Sequence, residues 1–312
     1  MNNFAIVTDS SCDINSSLME KFGIDGVIRG VVYAPDGTQL LADIDWENIS
    51  PEEFYTSMKG RNILYKTATP SAGEVLNVLE PVLQSGRDIL TISLSSAISG
   101  TFQIVQTAAN ELLEKYPERK IVCVDSLRYA SAAALLVTLA SKKRESGASI
   151  EETAEYLNEI KYSIHQMGPL DDLFFCVKTG RITNFQALFG TLIGVNSLAD
   201  FSRKGMSLVV GKAKGKKAAF NATVNYITET IKNPEEQIIF IAHSNREESA
   251  KLLAEELKKR LNPKDIIINH IGMSCGASIG PGLYAAYYVG NPISEGEVDE
   301  KKTMESILKS KK

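Results

Sequence analysis

Histidine is scarce in this chain. Of 312 residues three are histidine, His165, His243 and His270, and one is tryptophan. The four cysteines, Cys12, Cys123, Cys176 and Cys275, are scattered singly. None forms a CxxC pair, which excludes a zinc ribbon and a thioredoxin-like redox site. No His/Asp/Glu cluster has metal-ligand spacing, so neither a metal nor a cofactor is expected. Cys123 and Cys176 sit in the apolar runs IVCVD and LFFCV and read as buried small hydrophobes, which suits a reducing cytoplasm. No apolar stretch is long enough to span a bilayer. The opening residues, MNNFAIVTDSS, lack the basic start and apolar run of a signal peptide. The expectation is a cytoplasmic protein without stable membrane insertion. A net charge of −4 supplies no global field to recruit nucleic acid. The dinucleotide fingerprint GxGxxG is absent. The segment Gly211-Lys212-Ala213-Lys214-Gly215-Lys216-Lys217 falls one residue short of a phosphate loop and has no Ser or Thr after its lysine.

What is present is an ordinary globular composition, 44% hydrophobic and 23% charged, with length for two core-bearing domains. In the first half short apolar strands alternate with helical segments. Strands are expected at FAIVT (4–8), VIRGVVY (27–33), DILTISL (88–94) and KIVCVDS (120–126). Ser50, Ser71 and Ser149 each precede a Glu by three residues, the pattern of a helix N-terminus. A helix from about Thr101 and a buried Ala/Leu-rich helix after Tyr129 complete the alternation. It predicts an α/β fold with a parallel sheet covered on both faces. The domain change is placed near Ser149, giving an N-terminal domain 1–155 and a C-terminal α/β domain 156–312 with a mixed sheet. In the second half strands are expected at LFFCVK (173–178), SLVVGKA (207–213), QIIFIAH (237–243) and DIIINHI (265–271), with helices at about 216–232 and 246–260. The region 179–205 has no clear period.

Three loops could carry chemistry. In Thr67-Ala68-Thr69-Pro70-Ser71, hydroxyls gather before a helix N-terminus, whose free N–H groups attract anions. Capping explains Ser71 but not Thr67 or Thr69. The run Ser95-Ser96-Ala97-Ile98-Ser99-Gly100-Thr101 follows a strand and opens a helix. Ligands of open α/β sheets collect at that end of the strands. The third loop, Gly276-Ala277-Ser278-Ile279-Gly280-Pro281-Gly282, contains GxSxG, the nucleophile elbow of serine hydrolases, and precedes a helix expected at LYAAYYV. All three histidines precede Ser278, so the hydrolase order Ser, acid, His is impossible. A glycine-rich turn that brings backbone N–H groups to a ligand is the better reading. His243 ends a strand before a polar loop, where a lone histidine is more often structural. Arg203, Lys204, Lys212, Lys214, Lys216 and Lys217 form a cationic run, either a solvated surface or a docking patch for an anionic partner.

In order along the chain, these loops resemble the DegV family. Thr8-Asp9-Ser10-Ser11-Cys12-Asp13 is similar to its TDSS-x-D opening, Thr67 to Ser71 to its TSQPS motif, and Ser95 to Thr101 to its SS-x-x-SGT motif. Val124-Asp125-Ser126 resembles its VDS, Gly180-Arg181-Ile182 its GRI, and Ser278 to Gly282 its H-x-GPG. The resemblance implies two α/β domains with a long-chain fatty acid between them, and no catalysis by the chain itself. It implies a carboxylate held by Thr67, Thr69, Ser95, Ser96, Ser99, Gly100 and Thr101 and by the segment Ser278, Ile279, Gly280. The acyl chain would enter a tunnel in the C-terminal domain, for which Ile279, Phe185 to Ile193 and the segment after Gly282 are candidates. The implied partner is a separate fatty-acid kinase that makes an acyl phosphate for phospholipid synthesis. The pattern departs in three places. Ser278 stands where many members have histidine, Asn196-Ser197-Leu198 replaces KPI, and Lys214 replaces arginine. Two other readings stay open: a serine acyl hydrolase using Ser278, and a carrier of another small anion.

Overall fold

A strand buried at every residue needs cover on both faces. The computed structural model, which describes residues 4–183 and 194–310, gives β1 (Ala5–Asp9) that cover. The chain divides into two units. The first comprises Met1–Asn48, Tyr65–Lys161 and Gly272–Cys275, and the second Ile49–Leu64, Tyr162–Ile271 and Gly276–Lys312.

In the first unit β1, β2 (Gly26–Ile28), β6 (Ile89–Ser93) and β7 (Ile121–Asp125) form a parallel sheet in the order β2-β1-β6-β7. A second, antiparallel sheet has the order β4-β3-β5, from β3 (Val31–Tyr33), β4 (Gln39–Leu41) and β5 (Lys66–Ala68). Helix α1 (Ser16–Phe22) follows β1, and α2 (Pro51–Ser57) belongs to the second unit. One face of the parallel sheet is packed by α3 (Ala72–Gln84) and α4 (Thr101–Lys115), through Ala5, Val7, Val75, Leu79, Val105 and Leu112. The other meets α5 (Ser131–Glu145) and α6 (Ile150–Ile160). Helix α5 is buried along most of its length, as its uniform Ala/Leu composition requires. The expected parallel sheet between two helical layers is therefore present. Ser50, Ser71 and Ser149 all cap helices, each hydroxyl accepting from the N–H three residues on. At Ser149 the box is reciprocal, its N–H donating to Glu152 Oε2 at 2.7 Å. The single strand expected at 27–33 is two strands in two sheets. The chain breaks at Gly30, where a Cβ would lie 3.0 Å from the carbonyl oxygen of Ala68.

The second unit holds a mixed sheet in the order β13-β12-β14-β8-β10-β11-β9. Its strands are β8 (Ile164–Leu170), β9 (Ile182–Thr183), β10 (Val195–Phe201), β11 (Ser207–Lys214), β12 (Ile238–His243), β13 (Asp265–His270) and β14 (Tyr284–Val289). Pairs β12/β13 and β11/β9 are parallel and the others antiparallel. Helices α8 (Lys216–Thr230), α9 (Glu247–Leu261) and α11 (Val298–Lys309) supply core residues such as Tyr226, Leu253 and Met304 against Leu198 and Ile241 of the sheet. The unit boundary at Cys275/Gly276 falls inside α10 (Met273–Ile279).

Two expectations are corrected here. LFFCVK is not a strand but helix α7 (Phe174–Lys178), started by Asp172, whose Oδ1 accepts from the Phe174 N–H at 2.9 Å. LYAAYYV is not a helix but strand β14, paired antiparallel with both β12 and β8. Its tyrosines and valine favour a pleated, buried surface. Phe185 to Ile193 lies outside the described residues. No helix among the described residues is long and apolar enough to cross a membrane.

Candidate functional site

The carboxyl ends of β1, β6 and β7 carry three loops, and carboxylates bolt them together. Asp9, buried at the end of β1, accepts through Oδ1 from the Ser11 N–H at 2.9 Å and from the Ser11 hydroxyl. Its Oδ2 accepts from the Leu94 N–H of the next loop at 2.7 Å. Asp125, ending β7, accepts through Oδ1 from the N–H groups of Ser96 and Leu127, both at 3.1 Å. Its Oδ2 accepts from the Ser96 hydroxyl at 2.5 Å. Ser95 is fully buried, and its Oγ accepts from the Ala97 N–H at 3.3 Å. Ser95 and Ser96 thus shape the loop they sit in.

The remaining hydroxyls are less committed. Ser99 and Thr101 share a hydrogen bond at 2.9 Å, and the Thr101 N–H donates to Ser99 Oγ at 3.3 Å. Gly100 caps α4 without a side chain, and a Cβ on it would lie 3.9 Å from Thr69 Cγ2. The loops at Thr69 and Gly100 are therefore neighbours. Thr67 is exposed and pairs in register with Val32, while Thr69 is half-buried. Neither hydroxyl meets a hydrogen-bonding partner among the described residues. Ser10 Oγ accepts from the Gly30 N–H at 3.1 Å and lies 3.0 Å from Ser274 Oγ. Ser99 and Thr101, with Thr69 beside them at Gly100, make a hydroxyl cluster that presents donors and acceptors alike, and Ser10 with Ser274 forms a separate pair.

Burial perturbs the ionisable groups of this edge. Burial raises the carboxyl pKa of Asp9, only partly offset by its hydrogen bonds to Ser11 and Leu94. Burial also pushes Asp13 up to about 7, against hydrogen bonds from the Gly272 N–H at 2.8 Å and the Ser131 hydroxyl at 2.9 Å. Two buried cations stand nearby. Arg128 donates through Nη1 to the Leu127 carbonyl at 2.6 Å. Lys161 donates to the Asp125 carbonyl and to Asn158 Oδ1, both at 2.8 Å. Burial lowers the Lys161 pKa, Asp125 opposes this, and Arg128 adds to it.

In the second unit, Ser278 is half-buried near the end of α10. Ile279 packs against Leu170, Cys176 and Ile182. Gly280 has φ +75°, and a Cβ there would lie 2.1 Å from Phe175 Cδ2. The N–H of Gly280 donates to the Gly276 carbonyl at 2.8 Å, and that of Gly282 to the Ser244 carbonyl at 2.9 Å. Those N–H groups serve the local fold rather than standing free. The histidines are held elsewhere. His165 is buried with Nδ1 2.6 Å from Asp200 Oδ2 and Nε2 2.7 Å from the Asn291 carbonyl. His243 is buried against the ring of His270, centroids 4.4 Å apart, and burial followed by the His270 charge lowers its pKa to about 4. Among the described residues no group of three or more His, Cys, Asp or Glu is placed to hold a metal ion. Cys176 is buried and Cys123 half-buried. Lys204, Lys212, Lys214, Lys216 and Lys217 are exposed, and Arg203 is half-buried with Nη1 donating to the Ile293 carbonyl at 3.0 Å.

Residues 3–291 match the profile of the DegV family, described as uncharacterised proteins. The chain belongs to the DegV family. A DegV domain-containing protein of Clostridium perfringens is 32% identical over 291 residues, 93% of this chain and 99% of that one. Among solved structures, DegV of Bacillus subtilis, a fatty acid binding protein, superposes with a TM-score of 0.78 at 25% identity, covering 93% of this chain and all of that one, 100%. A DegV family protein of Thermus thermophilus, solved in a study of its fatty acid binding, has a TM-score of 0.81 at 24% identity over 92% of this chain and 99% of that one. The parallel sheet between helical layers in the first unit and the mixed sheet of the second are the DegV architecture.

Within this DegV chain, sequence reading named Thr67, Thr69, Ser99, Gly100 and Thr101 as candidates, of which Thr67 lies in strand β5 rather than a loop, and did not name Ser10 or Ser274. Ser10 lies inside the quoted TDSS motif, so its signal was present. Ser274 had none, since its approach to Ser10 spans 264 residues of chain.

Proposed function

We propose that this DegV protein binds a long-chain fatty acid and presents it to a separate fatty-acid kinase for phospholipid synthesis, with catalysis on that partner. The head-group cradle is the hydroxyl cluster of the first unit, to which Thr67, Thr69, Ser99 and Thr101 contribute directly and Ser95 and Ser96 by shaping the loop. Gly100 leaves the start of α4 open beside Thr69. The acyl chain is taken by apolar residues of the second unit, where Ile279, Leu170, Cys176, Ile182 and Val209 are the candidate lining. Ser278 and Gly280 flank Ile279 there.

The observation that carries this reading is the uncommitted hydroxyl of Thr69 beside the open start of α4, at the sheet edge where ligands of parallel α/β folds collect, with the uncommitted Thr67 two residues before it. The fatty acid bound by the B. subtilis relative supports the choice of ligand. Energetics assign the parts. Burying about 14 methylenes at roughly 0.8 kcal/mol each gives about 11 kcal/mol before association costs. Each head-group hydrogen bond adds about 1.5–3 kcal/mol. The tail therefore sets affinity and the hydroxyls set orientation.

Equilibrium titration with palmitic acid tests the division. Ile279→Trp is expected to abolish binding, whereas Thr67→Ala and Thr69→Ala each weaken it by about tenfold to a hundredfold, the worth of one such bond. Loss of all binding in a threonine variant, with Ile279→Trp unaffected, would reverse the assignment. Turnover of a chromogenic ester that disappears in Ser278→Ala would replace the carrier reading with a hydrolase.

A further inference from the structure

The mixed sheet of the second unit ends in two different ways. At one edge, β9 is two residues long. At the other, β13 runs for six residues, DIIINH, in unbroken parallel register with β12. Among the described residues no strand pairs with its outer side. A long open edge is a template for another strand, and proteins blunt such edges with lysine, proline, a bulge or shortness. β13 has none of these devices. Its one guard is local: Asp265 Oδ1 accepts from the Ile266 N–H at 2.9 Å.

The register fixes which groups look outward. The Asp265 N–H donates to the Gln237 carbonyl at 3.3 Å, and the Ile271 N–H to the His243 carbonyl at 3.0 Å. Alternation directs the main chain of Ile267 and Asn269 to β12 as well, and that of Ile266, Ile268 and His270 away from it. The Ile266 side chain packs against the core that holds Leu253 and Leu257 of α9. Ile268, two residues on, stands on the same face and is 36% exposed. Its main chain and its side chain are therefore both presented at the edge.

The helix beside this edge supplies charge of both signs. Arg260 of α9 donates to Asn225 Oδ1 of α8 at 3.1 Å, so that flank of α9 faces α8. The opposite flank carries Glu247, Glu248, Lys251, Glu255 and Lys258, all exposed. Burial lowers the His270 pKa and the Glu247 charge opposes it, which sets the start of α9 beside the end of β13. A two-fold axis at Ile268 lays a second β13 antiparallel to the first, with Ile268 opposite Ile268 and Ile266 opposite His270. With rises of about 3.3 Å per strand residue and about 1.5 Å per helix residue, the axis crosses α9 near its middle. The helix packs across β13, β12 and β14, so the two copies of α9 lie about three strand spacings apart, ~14 Å. Long side chains span that gap. The acidic start, Glu247 and Glu248, then faces the basic end at Lys258, and Lys251 faces Glu255.

We propose that β13 pairs with β13 of a second copy of this chain, making a two-fold dimer in which the two mixed sheets join into one through Ile268. Any extended strand would gain the main-chain bonds. The charges of α9 are complementary to their own reversal, and this selects a second copy as the partner. The inference is independent of the ligand.

Sedimentation of the full-length protein over a concentration series, with hydrogen exchange at the Ile268 N–H followed in the same samples, tests it. A dimer is expected at micromolar concentration, with slow exchange at Ile268 that becomes fast as dilution yields monomer. Ile268→Lys sets two like charges face to face at the axis and is expected to raise the dimer dissociation constant at least about a hundredfold. Lys258→Glu leaves the strand intact. It is expected to weaken the dimer, and Glu248→Lys in the same chain to restore it. A monomer at every concentration overturns the inference. A dimer that both single variants leave unchanged puts the interface elsewhere and overturns it too. So does slow exchange at Ile268 in the monomer, which would mean that the edge is already covered.

Discussion

Ser96 gives Asp125 both of its donors, the N–H to Oδ1 at 3.1 Å and the hydroxyl to Oδ2 at 2.5 Å. The same Oδ1 accepts from the Leu127 N–H. One carboxylate therefore fixes the loop after β6 and the loop after β7 together. Asp125→Ala leaves three donors without their acceptor and is expected to cost about 1–3 kcal/mol, read as a lower urea midpoint. Ser96→Ala removes one link of the three. It is expected to cost about 1 kcal/mol and to weaken ligand binding only modestly. Complete loss of binding in Ser96→Ala would make Ser96 a direct ligand rather than a loop clamp.

Asp13 predicts a pH dependence of stability. Its folded pKa of about 7 stands above the ordinary aspartate value of 3.8. Between these values the folded state binds the proton more tightly than the unfolded state does, so stability falls as pH rises through that window. Below it the penalty is absent, and above it the penalty is complete. In Asp13→Asn the decline between about pH 4 and about pH 7 is expected to flatten. Denaturant midpoints of both proteins across that range provide the check, and parallel curves would show that Asp13 does not titrate there.

Gly280 is fixed by its backbone and by its neighbour. At φ +75° a side chain is strained, and a Cβ would overlap the Phe175 ring at 2.1 Å. Gly280→Ala is expected to destabilise by about 1–3 kcal/mol or more. Phe175→Ala in the same chain makes room for the methyl. The double variant should therefore lose less than the sum of the single losses, which a double-mutant cycle measures.

Asp200 organises the buried polar centre of the second unit. Its Oδ2 faces His165 Nδ1 at 2.6 Å and accepts from the Tyr226 hydroxyl at 2.9 Å. Its Oδ1 accepts from the N–H groups of Gln166 at 3.0 Å and Phe201 at 2.7 Å. Asp200→Ala strands all of these and is expected to cost about 3–5 kcal/mol. Unfolding by urea would report it, and a loss below about 1 kcal/mol would mean that water replaces the carboxylate.

Local signals were the legible ones. The caps at Ser50, Ser71 and Ser149 depend on residues three apart, and each stands where the spacing puts it. The buried strands β1, β6 and β12 read as apolar runs because both their faces are covered. Strand β8 was not visible, since IHQMGPL holds His, Gln, Gly and Pro. Gly168 is needed there because a Cβ would lie 2.0 Å from the Tyr284 carbonyl oxygen, a contact between residues far apart in sequence. LFFCVK and LYAAYYV are short apolar runs that suit either element, and tertiary pairing decided both. At the candidate site the hydroxyl residues were readable as motifs. Their division into clamps and free groups was not, because Asp125 lies 29 residues from Ser96, and Asp9 lies 85 from Leu94.

The most direct test of the carrier reading is to extract the purified protein with organic solvent and identify what it carries by mass spectrometry. The account predicts a long-chain fatty acid in near-stoichiometric amount, lost in Ile279→Trp. An empty protein, or one holding a small polar ligand, that takes up no added fatty acid would contradict it.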